Sequence, residues 1–222
     1  MLNILLLCIV CFGTVSQAEV IKNFELSGGV GVQSSYVLGS SVVFDKGWVI
    51  QPWAKALHKP SGLYVATWAS MGFENSEGRE IDFTGGFQTT VNGIKLDLSY
   101  NFYDFISLRE GMHNPKLSLC YLKFSLCGSA SYMIPDTGAE PAPQFGLAWS
   151  HRWTSLDIGT VIGVTYTGSL YGNKPVTVLI NEVSIPVAKT GVELFAKGYI
   201  PIAGGTEEKN DVRGIIGFRF AF

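Results

Sequence analysis

Charged side chains recur at every second position of segments that are otherwise apolar. Glu80 and Asp82, for example, flank Ile81. Alternate residues of a β-strand share one face, so this spacing predicts strands with one charged face and one apolar face. The charged set comprises Glu25, Lys55, Glu80, Asp82, Lys95, Asp97, Arg152, Asp157, Glu193, Lys197, Arg213 and Arg219.

Two kinds of chemistry are open to this charged face. Rings of charged side chains can line a narrow polar pore and set its selectivity. They can also pair with one another and fill the interior of a closed sheet, because buried charges need partners. The set holds six basic and six acidic residues. Both alternatives therefore stay open, and no net ion selectivity can be derived from the equal numbers.

The histidines do not form an obvious catalytic set. His58, His113 and His151 lie in separate segments, and none has a serine and an acid at a spacing that assembles a triad. The best candidate is His113 with Glu110 or with an acid of a neighbouring loop. The sequence also lacks metal-ligand spacings and phosphate-binding motifs. We therefore expect no enzyme activity, no metal and no cofactor.

Two cysteines, Cys120 and Cys127, lie in a predicted hairpin. If Leu122 pairs with Ser125, Cys120 lies directly opposite Cys127 on the polar face. Lys123 and Phe124 are poor residues for a two-residue turn, so the register is open. A cross-strand disulfide and two free thiols are equally compatible with the sequence.

Twelve predicted strands would hold these side chains. Asn92-Gly93 separates two of them and is a strong signal for a type I′ hairpin. In the first strand, Phe24 to Leu38, the apolar set that includes Tyr36 is expected to face outward. The facing of the second and third strands stays open, and the loss of alternation near Asn181-Glu182 predicts a bulge in the tenth. The predicted strands are 24–38, 48–57, 63–73, 80–91, 94–103, 116–122, 125–134, 144–153, 156–166, 175–187, 192–202 and 214–222.

The final segment, Gly214 to Phe222, is the most regular. Ile216, Phe218, Phe220 and Phe222 share one face, and the opposite face is small or charged. An aromatic row at an open sheet edge would favour aggregation, whereas in a closed barrel it is protected. The pattern resembles the C-terminal signature of bacterial outer-membrane β-barrels, which the barrel-assembly machinery reads at residues such as Phe218, Phe220 and Phe222. The alternative is a buried last strand of a soluble sandwich.

The first eighteen residues resemble a secretory signal peptide. A short apolar run from Ile4 to Phe12 is followed by Ser16 and Ala18, which suit cleavage before Glu19. The run is too short to span a bilayer as a helix. We therefore expect residues 1–18 to be a signal peptide and residues 19–222 to form one domain.

Composition and loop lengths favour a barrel that spans a membrane. Charged residues make up 15%, aromatic residues 13%, and 26 residues are glycine. Connections after odd-numbered strands are longer than those after even-numbered strands, as external loops and periplasmic turns of such barrels are. The net charge of -2 argues against a nucleic-acid partner. The predicted outer aromatic girdle comprises Tyr36, Trp48, Phe73, Phe102, Tyr132, Phe145 and Tyr166, and the inner one Trp153, Phe220 and Phe222.

The stretch from Ser34 to Ser70 resembles the Gcw_chp or TorF family of bacterial outer-membrane proteins. The typical pattern ends in Gly-x-Tyr-x-Gly-x-Trp-x-Ser, and an earlier element contains Ser-Asp-Tyr. The matching residues are Ser34, Tyr36, Gln51, Gly62, Tyr64, Trp68 and Ser70. The chain departs from the pattern at Ser35 and Ala66, and no arginine precedes Gly39. The resemblance implies a porin-like barrel and names no substrate.

Together these features predict an all-β, transmembrane antiparallel barrel of about twelve strands in the bacterial outer membrane. Its expected function is passive diffusion of small polar solutes through a narrow charged lumen. The expected partners are outer-membrane lipid, the barrel-assembly machinery and the solutes, and the expected state is a monomer. A structural or surface-binding barrel with a closed lumen is the alternative, and an outer-membrane enzyme is a weaker one.

Overall fold

A computed structural model describes residues 23–38, 42–45, 47–73, 79–106, 109–154, 157–169, 175–187, 190–204 and 213–222. The predicted signal peptide, residues 1–18, lies outside the described residues, as does most of the connection between the last two predicted strands.

The described part of the chain forms β-strands joined by turns and loops, with one short 3-10 turn at Leu122–Phe124. The strands are β1 Phe24–Gln33, β2 Tyr36–Leu38, β3 Val42–Asp45, β4 Val49–His58, β5 Leu63–Gly72, β6 Glu80–Val91, β7 Ile94–Phe105, β8 Glu110–Tyr121, β9 Leu126–Pro135, β10 Ala142–Trp153, β11 Ile158–Thr167, β12 Val176–Pro186, β13 Val192–Gly204 and β14 Arg213–Ala221. Among the described residues, no helix is long and apolar enough to cross a membrane.

Twelve of these strands close into one antiparallel barrel, which confirms the predicted fold. β1 pairs with β4 on one side and with β14 on the other, while β2 and β3 pair only with each other. The backbones of Gly28 and Phe222 exchange two hydrogen bonds of 3.2 and 2.9 Å at the seam. The predicted last strand therefore completes the barrel and leaves no open edge there.

The outside of the barrel is apolar. Residues that face each other across an antiparallel pair lie on the same side of the sheet. Phe83, Leu98 and Leu147 lie on the outer side and are 54 to 56% exposed. Trp48, Phe73, Tyr132, Phe145, Trp153 and Phe222, predicted for the aromatic girdles, are also exposed. A continuous exposed apolar surface of this kind fits lipid and not water.

The β6–β7 and β8–β9 turns account for the strand registers that the sequence predicted in these two hairpins. Asn92 and Gly93 both have positive φ, 50° and 78°, as a type I′ turn requires. At the β8–β9 turn the 3-10 turn is closed by Ser125, whose φ is 51° and whose N–H donates to the Leu122 carbonyl over 3.2 Å. A four-residue turn thus replaces the poor two-residue turn.

The first predicted strand is too long. β1 ends at Gln33, and the side-chain amide of Gln33 donates to the Ser35 carbonyl over 2.7 Å where the chain leaves the barrel wall. Tyr36 then belongs to the inserted hairpin and is 8% exposed. Its place in the outer aromatic girdle was wrong, because a buried carboxyl partner draws it inward.

The bulge predicted at Asn181-Glu182 was also wrong. These residues pair regularly with Gly198 and Lys197, and the irregularity lies between Thr177 and Val178. The alternation fails in the sequence because β12 turns apolar side chains into the barrel near one end and Glu182 near the other. The pattern changes with the depth of the lumen while the strand stays in register.

Candidate functional site

The inner face of the barrel gathers the predicted charged side chains. The pairing register places them on one side of the sheet, except Asp157, which lies in the turn before β11. The open facing of β4 and β5 is also settled, since Trp53, Lys55, Tyr64 and Trp68 all lie on this inner side. The lumen is therefore the candidate functional site.

On one side of the lumen the charges pair with one another. Arg219 binds Glu193 through Nε at 2.7 Å and Glu182 through Nη1 at 2.8 Å. Lys197 lies 3.4 Å from Glu182, and Arg152 lies 3.6 Å from Glu193. We call this set the ion-pair network; its members are Arg152, Asp157, Glu182, Glu193, Lys197 and Arg219. On this wall, therefore, the charged side chains pair with one another, which is one of the two alternatives that the sequence left open.

The other side of the lumen carries lysines with different partners. Lys55 Nζ donates to Gln88 Oε1 over 2.8 Å and lies 3.9 Å from the centre of the Tyr64 ring. Within the described residues, neither Lys95 nor Lys116 forms an ion pair. We call Lys55, Lys95 and Lys116 the lysine face.

Tyr64 contacts both Lys55 and Asp97 on this face. Its ring crosses Gly86, where an added Cβ would come within 2.6 Å of the ring, so the bare glycine permits the close approach. The Tyr64 hydroxyl then reaches the next strand and donates to Asp97 Oδ1 over 2.8 Å. A cavity of about 290 Å³ lies beside it, lined by Tyr64, Lys95, Asp97, Ser99, Asn101, Lys116, Ser118 and Cys120.

Uncharged polar side chains continue around the inner face from β6 to β11. Thr84 donates to Asn101 over 2.8 Å, and at the far end Gln144 donates to Thr167 over 3.4 Å. We call the connected set the polar ladder; it comprises Thr84, Asn101, Asn114, Ser131, Gln144 and Thr167. Such hydroxyl and amide groups can exchange hydrogen bonds with water or a solute at little cost.

The inserted hairpin crosses the lumen. We call β2 and β3 the inner hairpin. The Tyr36 hydroxyl donates to Glu80 Oε2 on β6 over 2.5 Å, and the Tyr36 ring lies 5.5 Å from that of Trp68. Burial and the nearby Glu80 raise the pKa of Tyr36, so its hydroxyl stays protonated as the donor.

The next residue of the inner hairpin faces the opposite wall. Val37 is 9% exposed and belongs to an apolar cluster with Val176, Val178, Tyr199 and Ile215 from β12, β13 and β14. β6 and β12 lie six strands apart in the ring of twelve, so they are diametrically opposed. The inner hairpin therefore narrows the lumen by contacting both walls.

Acidic groups lie where the hairpin meets β6. Glu80 is 1% exposed, and Glu80 Oε1 and Asp82 Oδ1 have no hydrogen-bond donor among the described residues. Phe105, Met112 and Met133 form a second apolar cluster against Tyr103, which faces Asp82 across the β6–β7 pair. The lumen at this level is thus narrow, partly apolar and acidic.

The histidines lie outside this lumen. His113 faces outward and contacts Asp136 at 2.8 Å and the Tyr100 hydroxyl at 2.6 Å, so the acid beside it is Asp136 and not Glu110. His58 contacts Ser61 in the β4–β5 turn. Within the described part of the chain, no three histidine, cysteine or acidic side chains converge in a metal-binding arrangement.

Cys120 and Cys127 lie directly opposite each other on β8 and β9 and are linked by a disulfide. Ser118 and Ser129 form the next inward pair. The bond therefore ties the β8–β9 hairpin on its inner side, next to the cavity of the lysine face.

Sequence reasoning missed several residues of the site. Lys116 alternates with Ser118 and Cys120, which were assigned to the polar face, so its inward position was readable. Glu182 was not assigned to the inner face, because a bulge was predicted at its position. Nothing local indicated that Tyr36 would bind Glu80, which is 44 residues away.

Several residues of the family-like stretch lie in this lumen. Tyr36 packs against Trp68, and Gln51 donates to the buried Ser70 over 3.4 Å. Gly62, with a φ of 73°, closes the β4–β5 turn and accepts a hydrogen bond from the Gln88 N–H over 2.8 Å. The motif residues therefore lie in the inner hairpin, on the inner faces of β4 and β5, and in the turn between these two strands.

A family model described as a bacterial protein of unknown function, Gcw_chp, matches residues 17–126. The predicted Gcw_chp resemblance is confirmed over this range. The Gcw_chp match contains the inner hairpin and the whole lysine face, whereas the ion-pair network lies beyond it. A search of curated proteins found no significant match.

Solved structures share the fold. The KdgM porin, solved in complex with disordered oligogalacturonate, aligns with a TM-score of 0.57 and 7% identity over 89% of this chain and 98% of that chain. The NanC porin aligns at 0.52 and 9% identity over 89% and 98%. A structure from a study of the in-meso crystallization of membrane proteins aligns at 0.61 and 11% identity over 89% and 83%. The chain that carries the Gcw_chp match thus has a porin-like barrel fold.

Proposed function

We propose that this protein is a porin-like channel of the bacterial outer membrane through which small polar solutes diffuse passively. One observation carries the proposal: the polar ladder and the lysine face line the inside of a closed barrel whose outside is apolar. A barrel that only filled space would gain more from apolar packing inside than from these polar groups.

The inner hairpin makes the proposed channel narrow. It contacts opposite walls through Tyr36 and Val37 and leaves solute a reduced cross-section. The predicted pore-lining residues then act in two ways. The ion-pair network stabilises its own wall. Asp82, Lys95 and Asp97 lie on the inner face by strand register, and we expect a passing ion to be affected by their charge.

Single-channel recording in a planar bilayer tests the proposal, using refolded protein of residues 19–222. We expect discrete conductance steps whose size or ion selectivity changes in Asp82→Asn, Lys95→Gln and Asp97→Asn. Lys123→Gln is the matched control, because Lys123 lies in the β8–β9 turn outside the lumen. Steps that none of the three lumen variants alters would contradict the assignment of these residues.

A closed structural barrel is the second candidate. The contacts of the inner hairpin with both walls and the apolar clusters beside it favour this alternative. A correctly folded barrel that remains silent in the bilayer would support it and overturn the channel.

We also propose that the protein is not an enzyme. Hydrolysis of outer-membrane lipid or of peptide by the wild-type protein, lost in His113→Ala, would contradict this. Asp136 is the acid to test beside it, because it contacts His113.

We further propose that residues 1–18 direct secretion, that Phe218, Phe220 and Phe222 are read by the barrel-assembly machinery, and that the barrel is a monomer in outer-membrane lipid. Phe222→Ala keeps the backbone bonds to Gly28, so it should refold in vitro. In cells the same variant should give less folded barrel than wild type. Equal amounts of folded barrel in cells would contradict a role for this side chain in assembly.

A further inference from the structure

The lysine face differs from the opposite wall in how its charges are satisfied. In the ion-pair network each basic side chain lies within 3.6 Å of a carboxylate oxygen. Lys95 and Lys116 have no such partner in the described part of the chain, and Lys55 is held by an amide and an aromatic ring. The basic charge of this wall is thus available to a solute.

The pairing register places the two lysines around one spot. Across β7 and β8 the inward pairs are Lys95 with Cys120, Asp97 with Ser118, and Ser99 with Lys116. Successive inward pairs lie about 7 Å apart, so the lysine backbones flank the middle pair at about that distance on either side. Each flexible four-carbon stem can direct its ammonium group toward this middle pair.

The groups between the lysines suit a particular class of solute. Asp97 accepts a hydrogen bond from the Tyr64 hydroxyl. The cavity therefore holds one carboxylate, which already has a partner, and two ammonium groups. Ser99, Ser118 and Asn101 also line it and can donate and accept hydrogen bonds. A carboxylate would meet the ammonium groups, and hydroxyls on the same molecule would meet these side chains.

We infer that the lysine face is a binding site for small hydroxylated carboxylates, the class that includes sugar acids. The inference rests on the proposed function, because solute reaches these lysines through an open lumen. Binding is weak, since a diffusion channel must release what it binds.

Saturation-transfer NMR on the folded barrel in detergent tests the site, with glucuronate as the probe and glucose as its uncharged match. We expect transfer to glucuronate and much less to glucose. Lys95→Gln and Lys116→Gln should each weaken glucuronate binding roughly threefold, the value for one unit charge acting across about 6 Å of water. Lys123→Gln, the same charge change outside the lumen, should leave binding unchanged.

Asp97→Asn gives a result of opposite sign. The amide keeps an oxygen that accepts from Tyr64 but removes the carboxylate from the cavity, so glucuronate should bind more tightly. A variant that merely disturbed the fold would weaken binding at every position. Equal transfer to glucuronate and glucose, or lysine variants that bind like wild type, would overturn the inference.

The two proposals fail separately. A barrel that conducts but does not distinguish glucuronate from glucose retains the channel and loses the anion site. A folded barrel that binds glucuronate through Lys95 and Lys116 but never conducts retains the site and loses the channel.

Discussion

Tyr36→Phe is the sharpest test of the inner hairpin, because it removes one hydroxyl and keeps the ring. The lost hydrogen bond joins Tyr36 to Glu80, a residue that is 1% exposed. Leaving a buried acceptor without its donor costs about 1–3 kcal/mol. The ring contact with Trp68 remains, so the expected effect is on the docking of the hairpin alone.

That free energy converts into a change in how often the hairpin leaves the wall. At 1.4 kcal/mol for each factor of ten, the undocked population should rise about 5-fold to 140-fold. Val37 reports on this population, because it is 9% exposed when docked. In a Val37→Cys background, the rate of maleimide modification should increase by the same factor when Tyr36→Phe is added.

The control is Tyr132→Phe in the same background. Tyr132 is 46% exposed on the outer surface, so its hydroxyl should not affect the hairpin. In bilayer recordings the Tyr36 variant should also visit larger conductance levels more often. Modification rates that agree within twofold for the two variants would refute the docking role of the Tyr36 hydroxyl.

Three further predictions follow from the turns, the ion-pair network and the topology. Gly62→Ala forces a φ of 73° on a residue with a Cβ and should lower the free energy of unfolding by about 1–2 kcal/mol in urea titrations. Gly85→Ala is the control, because no atom lies within 4 Å of a Cβ added there, and it should not lower this free energy. Equal midpoints for the two variants would contradict the prediction. Arg219→Gln should lower the free energy of unfolding by about 1 kcal/mol in the same titration. The loss is small because the Arg219 side chain is 43% exposed and because Glu182 and Glu193 still pair with Lys197 and Arg152. An unchanged midpoint would show that the ion-pair network adds nothing to stability. Thr137→Cys in the β9–β10 connection should react with a membrane-impermeant maleimide on intact cells and Lys123→Cys should not; the reverse pattern would invert the topology.

Local spacing was enough to predict most of the barrel strands and, for the most regular of them, the two faces. The hairpin at Asn92-Gly93 and the inward positions of Asp82, Lys95 and Asp97 follow from a period of two and from a turn that needs positive φ. These properties depend on neighbours in the chain, so they can be read directly. The closure of the barrel by the last strand follows as well, because its aromatic face cannot remain at an open edge.

Contacts between distant residues decided the rest. The Tyr36 bond to Glu80 spans 44 positions, and it turns a residue predicted to face lipid into the anchor of a hairpin inside the barrel. The charged set likewise looked balanced as a list of residues. Only the tertiary structure pairs Arg219 with Glu182 and leaves Lys95 and Lys116 without such partners among the described residues, because pairing depends on which strands lie close together around the ring.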